Sequence, residues 1–192
     1  MTTQTITTYV TPDEYLATQR LSEDRAEYLD GVVYPMTGAS IRHTTIAFNI
    51  GAELNIQLRG RPGRVLGMDA KVRMPDSRKF FYPDVIVVSG EPQYHDDRKD
   101  VLLNPDIIIE VLSPSTEAFD RGAKFQAYQT LESLKEYLLV AQDGPFVEQY
   151  VRGDNGEWTY KAASGLEASL KLPSVECTLK LSAVYDKVDF NS

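Results

Sequence analysis

Ile107-Ile108-Ile109-Glu110-Val111-Leu112 is the stretch that decides what kind of fold this chain adopts. Five β-branched or aliphatic positions, interrupted by a single acid, read as a strand covered on both faces. Tyr82-Pro83-Asp84-Val85-Ile86-Val87-Val88 has the same character, so residues 85–88 and 107–112 are expected as central strands of a sheet. Each stretch carries one carboxylate, Glu110 within its strand and Asp84 at the entry to its own. Burying an unpaired carboxylate is strongly unfavourable, so each needs a cation, a metal ion or a shared proton beside it.

Working outward, residues 116–130 read as a helix and residues 137–141 as another apolar strand ended by Asp143-Gly144-Pro145, which makes the helix a connection between two strands of one sheet. Upstream, Thr11-Pro12-Asp13-Glu14 has the order of a capping box with proline at the first helical position. Residues 26–29 and 32–36 flank Asp30-Gly31, a dipeptide suited to a type I′ turn, and form an expected hairpin with Glu27 on its first strand. Residues 40–59 carry Ile41, Ile46, Phe48, Ile50, Ala52, Leu54 and Leu58 at helical spacing before Gly60-Arg61-Pro62-Gly63 ends the run. Residues 65–68 and 70–74 read as strand, 89–105 as a charged surface excursion, 146–152 with 158–161 as a second hairpin, 168–172 as a strand and 181–185 as a short helix. The sum is one mixed α/β domain over 1–192, with a core at about 11–152 and a C-terminal hairpin extension over 146–192.

Composition sets limits on the chemistry. The 192 residues include 20 Lys and Arg against 28 Asp and Glu, a formal net charge of −8. That balance disfavours indiscriminate coating of nucleic acid but leaves room for a local basic groove. One cysteine, Cys177, and two histidines, His43 and His95, are too few for a cysteine cage or a histidine-rich zinc centre, so a metal here would have carboxylate ligands. No apolar stretch approaches the roughly 20 residues of a membrane span, and residues 1–8 lack the basic and apolar regions of a signal peptide, so a cytoplasmic protein without a membrane is expected.

Asp84 and Glu110, if their strands are neighbours, would present hard oxygen ligands suited to Mg²⁺ or Mn²⁺, ions that activate water and neutralise charge on a phosphoryl oxygen. Asp120, Lys124 and Tyr128 stand at i, i+4 and i+8 on the following helix. A lysine there would orient an attacking water or stabilise developing charge, and Tyr128 would hydrogen-bond the lysine or a phosphate; the alternative is an Asp120–Lys124 surface pair worth about 0.2–0.5 kcal/mol. For Asp84 and Glu110 the alternative is a carboxylate that merely caps a helix or pairs with a buried arginine.

The order of these segments resembles the Uma2 family, restriction-endonuclease-like proteins abundant in cyanobacteria, within the PD-(D/E)XK nuclease superfamily. The matching residues are Glu27-Tyr28-Leu29-Asp30-Gly31-Val32-Val33-Tyr34-Pro35-Met36, His43, Tyr82-Pro83-Asp84-Val85, Ile109-Glu110-Val111-Leu112-Ser113-Pro114-Ser115-Thr116, Asp120 through Tyr128, and Lys135 through Val140. The resemblance implies a restriction-endonuclease-like α/β fold, a central mixed sheet flanked by helices, and a metal-dependent endonuclease hydrolysing DNA phosphodiesters. It assigns Asp84 and Glu110 to Mg²⁺ or Mn²⁺, Glu27 as an additional acid of that shell, and Lys124 as the catalytic lysine. The superfamily's usual lysine position, two residues after the second acid, is Leu112 here; the family resembles those nucleases in which the lysine has migrated onto the following helix, where Lys124 is the matching candidate. His43, Tyr128, Asp120 and Ser113 form an outer set, with Ser113, Ser115 and Thr116 offering hydroxyls to a phosphate or a cap to the helix. Arg98 and Lys99, in the 89–105 segment, are candidates for touching DNA. A homodimer is implied as well. Two other functions stay open: a nuclease-fold binding or assembly module without activity, and a metal-dependent hydrolase of another phosphoester.

Overall fold

A computed structural model describes residues 9–67 and 69–190 of the chain. The start at residues 1–8 and Met68, the last residue of the strand expected at 65–68, lie outside the described residues.

Local chemistry sets the first elements. In α1 (Pro12–Gln19) the capping box is complete: Glu14 N–H donates to Thr11 Oγ1 at 3.3 Å and Thr11 N–H donates to Glu14 Oε2 at 2.8 Å. β1 (Ala26–Leu29) and β2 (Val32–Pro35) reverse through Asp30 and Gly31, whose φ angles of 48° and 96° are the two positive values of a type I′ turn. α2 (Ile41–Gln57) starts at Ser40, whose hydroxyl accepts from His43 N–H. The sheet-forming middle of the chain follows as β3 (Arg64–Leu66), β4 (Lys71–Arg73), β5 (Lys79–Phe81), β6 (Val85–Val88), β7 (Val101–Leu102) and β8 (Ile107–Val111). Residues 117–128 form α3, in which a π-helical turn at Asp120–Lys124 separates Glu117–Phe119 from Phe125–Tyr128. β9 (Glu136–Val140), β10 (Phe146–Arg152), β11 (Trp158–Ser164), β12 (Ser169–Leu172), β13 (Cys177–Lys180) and α4 (Leu181–Val184) complete the order.

Six strands in the order β11-β10-β9-β8-β6-β3 make the central mixed sheet, and five in the order β2-β1-β5-β4-β7 make a second sheet beside it; β12 and β13 pair with each other. β8 and β9 run parallel, as expected for strands joined by a helical crossover, while β6 pairs antiparallel with β8. The expectation that β8 is covered on both faces holds residue by residue. Ile107, Ile109 and Val111 pack against Ile46, Ile50 and Leu54 of α2, whereas Ile108 and Leu112 pack on the other side with Ala127, Tyr128 and Leu131. Alternation of side chains along a strand therefore sends Glu110 toward α3.

Four sequence expectations need correction. Within 89–105, Val101 and Leu102 are buried and add a parallel strand to β4, so that end is sheet rather than excursion. Ile41 and Phe48 lie on the outer face of α2, 86% and 73% exposed; the buried stripe is Ile46, Ala47, Ile50 and Leu54. β5 and β13 were not anticipated, because Lys79 and the alternating Thr178 and Lys180 interrupt the apolar signal. Thr116 occupies the N-cap position of α3 without a capping bond, its hydroxyl meeting Ser113 Oγ at 2.9 Å instead.

Candidate active site

The antiparallel register of β6 and β8 pairs Val85 with Ile109, and its continuation sets Asp84 opposite Glu110. Asp84 Oδ2 accepts the Val111 N–H at 2.8 Å, which holds the aspartate against the neighbouring strand. Its other oxygen, Oδ1, lies 2.8 Å from His43 Nε2, brought there by the first turn of α2. His43 is thus part of the site, tied to Asp84 41 positions further along the chain.

Lys124 forms the opposite wall. Its ammonium lies 3.0 Å from Glu110 Oε1, 3.1 Å from Glu27 Oε1 and 3.4 Å from Asp120 Oδ1, and 5.7 Å from the centre of the Phe81 ring. Burial alone would lower the affinity of the amine for its proton, but the surrounding Glu110, Glu27 and Asp120 outweigh that effect and hold Lys124 charged. Glu110 has the reverse balance: burial pushes its carboxyl well above the ordinary range, and the neighbouring Lys124 opposes that only in part. The Tyr128 hydroxyl donates to Glu110 Oε1 at 2.9 Å, and burial raises this phenol as well. Glu27, with its side chain 14% exposed, also accepts the Tyr82 N–H at 3.1 Å. It is an inward-facing acid and not a solvated strand end, and the Asp120–Lys124 pair is buried rather than superficial.

These groups line one cavity of about 770 Å³, with Glu27, Asp84, Glu110, Asp120, Lys124 and His43 all contributing. Ser113 belongs to its wall, its hydroxyl meeting those of Ser115 and Thr116. Tyr128 acts from behind, buried against Glu110. Leu112 packs in the apolar cluster with Tyr128, so the lysine reaches the acids from α3 and not from β8. The cavity also includes residues given no site role in the sequence analysis, notably Tyr34, Arg25 and Phe119. Tyr34 was legible in principle, since a two-residue turn at Asp30-Gly31 forces it opposite Glu27.

The donors suit a hard divalent cation in kind, because Asp84, Glu110 and Glu27 supply only carboxylate oxygens. Among the described residues, however, no group of three or more His, Cys, Asp or Glu side chains closes around an ion position. The positive charge at the centre is that of Lys124, which Glu27 and Glu110 share.

The fold is restriction-endonuclease-like: a crystal structure described as that of a putative nuclease belonging to DUF820 from Anabaena variabilis superimposes with a TM-score of 0.73 over 92% of this chain and 97% of that one, at 18% identity. The family profile of Uma2, described as "Putative restriction endonuclease", matches residues 12–183, and the chain belongs to that family. Two proteins of Synechocystis sp., both described as uncharacterized, are similar along most of their length. Sll1609 is 32% identical over 165 residues, 86% of this chain and 93% of its own, and slr1290 is 32% identical over 186 residues, 94% of each. No helix of the described residues is long and apolar enough to cross a membrane.

Proposed function

We propose that this protein is a divalent-metal-dependent nuclease that hydrolyses DNA phosphodiester bonds. The observation that carries this reading is the placement of Asp84 and Glu110 opposite one another on adjacent strands, with Lys124 3.0 Å from Glu110 at the wall of an open cavity. Asp84, Glu110 and Glu27 would hold Mg²⁺ or Mn²⁺, which supplies a Lewis acid for a phosphoryl oxygen and a more acidic water. The chain's own residues do the positioning. His43 and the Val111 amide fix Asp84, Tyr128 fixes Glu110, and Lys124 offers a permanent positive charge where negative charge develops on phosphorus-bound oxygens.

The test is cleavage of supercoiled plasmid and single-stranded DNA in Mg²⁺ or Mn²⁺ by the wild type and by Asp84→Asn, an isosteric change that removes a ligand charge. Metal-dependent cutting lost in the variant is the expected result. Equal cutting by both would overturn the assignment. A second reading, a binding module without chemistry, is favoured by one observation: the Lys124 ammonium already occupies the place between Glu27, Glu110 and Asp120. Calorimetric titration with Mn²⁺ decides between them, since such a module should give no saturable heat.

A further inference from the structure

The walls of the cavity differ in kind from its floor. Tyr34 is paired with Glu27 in the β1–β2 register, so the two side chains leave the sheet on the same face and stand about 4.5–5.5 Å apart at their Cβ atoms. Glu27 is drawn inward to Lys124, while Tyr34 stays 49% exposed at the rim. Pro35 continues this wall, and Pro114 and Phe119 contribute further apolar surface from the segment after β8. The cations lining the cavity, among the described residues, are Arg25 and Lys124, and Lys124 is committed to three carboxylates.

Proteins that hold duplex DNA through its backbone neutralise on the order of 6–10 phosphates with Lys and Arg, a demand this lining does not meet. An aromatic ring beside a recessed reactive centre suits a nucleotide that has left the stack, because every base has a face to lay on it. The cavity volume of about 770 Å³ lies within the range of sites that enclose a small ligand. We infer that the cavity takes single-stranded DNA, one unstacked base lying on the Tyr34 ring while its phosphate reaches the Glu27, Asp84 and Glu110 floor. This substrate class rests on the nuclease reading above.

Binding of a short fluorescein-labelled single strand, and of the same strand annealed to its complement, can be followed by anisotropy in Ca²⁺ with wild type, Tyr34→Ala and Tyr34→Phe. Wild type should bind the single strand about tenfold or more tighter than the duplex. Tyr34→Ala should weaken single-strand binding about fivefold to 150-fold, the equivalent of one base–aromatic stack, and Tyr34→Phe should stay within about twofold of wild type. Duplex binding equal to or tighter than single-strand binding, no binding of either, or no loss in Tyr34→Ala would overturn the inference. Cutting of the same oligonucleotides in Mn²⁺ separates the two claims. Tyr34-dependent binding of the single strand without any cutting removes the nuclease reading and keeps the site, whereas duplex cutting indifferent to Tyr34→Ala removes the site and keeps the nuclease.

Discussion

Lys124 and Glu110 meet at 3.0 Å inside the protein, both almost without solvent contact, and Glu27 and Asp120 reach the same ammonium. Taking away one partner of a buried ion pair strands the other. Lys124→Met should therefore lower unfolding stability in metal-free urea titrations by about 3–5 kcal/mol. Added Mn²⁺ should restore part of this, because an ion able to bind the same carboxylates replaces the missing charge. A midpoint unchanged from wild type would show that the ammonium is not what holds the three acids together.

Tyr128→Phe removes one oxygen from the same cluster. The hydroxyl donates to Glu110 at 2.9 Å in a fully buried setting, and leaving that buried oxygen without its donor costs about 1–3 kcal/mol. The variant should fold and unfold cooperatively with that loss, read from its urea midpoint at constant m-value. Wild-type stability in this variant would mean the phenol is dispensable to Glu110.

Asp100 ties the second sheet to α1. Arg20 donates to both of its oxygens, at 2.6 Å and 3.0 Å, and Lys71 to one at 3.1 Å; the Arg20 guanidinium foremost, then Lys71, hold this carboxyl well below the usual range despite partial burial. A carboxylate depressed in the folded state contributes stability that is complete above its unfolded pKa of about 3.9 and disappears as pH falls toward the folded value. Asp100→Asn should accordingly be less stable than wild type by about 1–3 kcal/mol at pH 7, with the gap closing on acidification below about pH 4. Parallel stability curves from pH 7 to pH 2 would contradict the role given to the ion pair.

Gly31 sits at φ +96° in the turn that sets the Glu27–Tyr34 register. Side chains pay about 1–2 kcal/mol in this region of conformational space, and a methyl group here would also press into the Tyr9 ring. Gly31→Ala should be destabilised by at least that amount in thermal or urea unfolding. A variant as stable as wild type would show that the turn tolerates another type.

What the sequence made legible was governed by how local each signal is. Glu110 and Asp84 stood out because a charge in an apolar strand needs a partner whatever the topology, and β8 read as doubly covered because no polar residue alternates through it. The reach of His43 to Asp84 could not be read, since it depends on how α2 crosses the sheet. Val101 and Leu102 were hidden by charged neighbours such as Lys99 and Asp100, the latter held by Arg20 and Lys71 from distant parts of the chain. On α2, Ile41 and Phe48 obey helical spacing as well as Ile46 and Ile50 do, and only the packed structure says which stripe is inside.

The π-helical turn at Asp120–Lys124 has one more consequence. Such a turn closes its hydrogen bonds over five residues instead of four, so it houses one residue more than the α-helix around it. Everything after it in α3 is out of phase with everything before it by one position. The same residues run through as an ordinary α-helix would bring Lys124 and Tyr128 to the sheet rotated by about 100° relative to Glu117 and Phe119, whereas removal of one residue of the turn, such as Gly122, would restore an ordinary helix with its two ends still in phase. The position of Lys124 is in that sense a matter of counting: a one-residue surplus, harmless to the helix, sets the angle at which its charge enters the core.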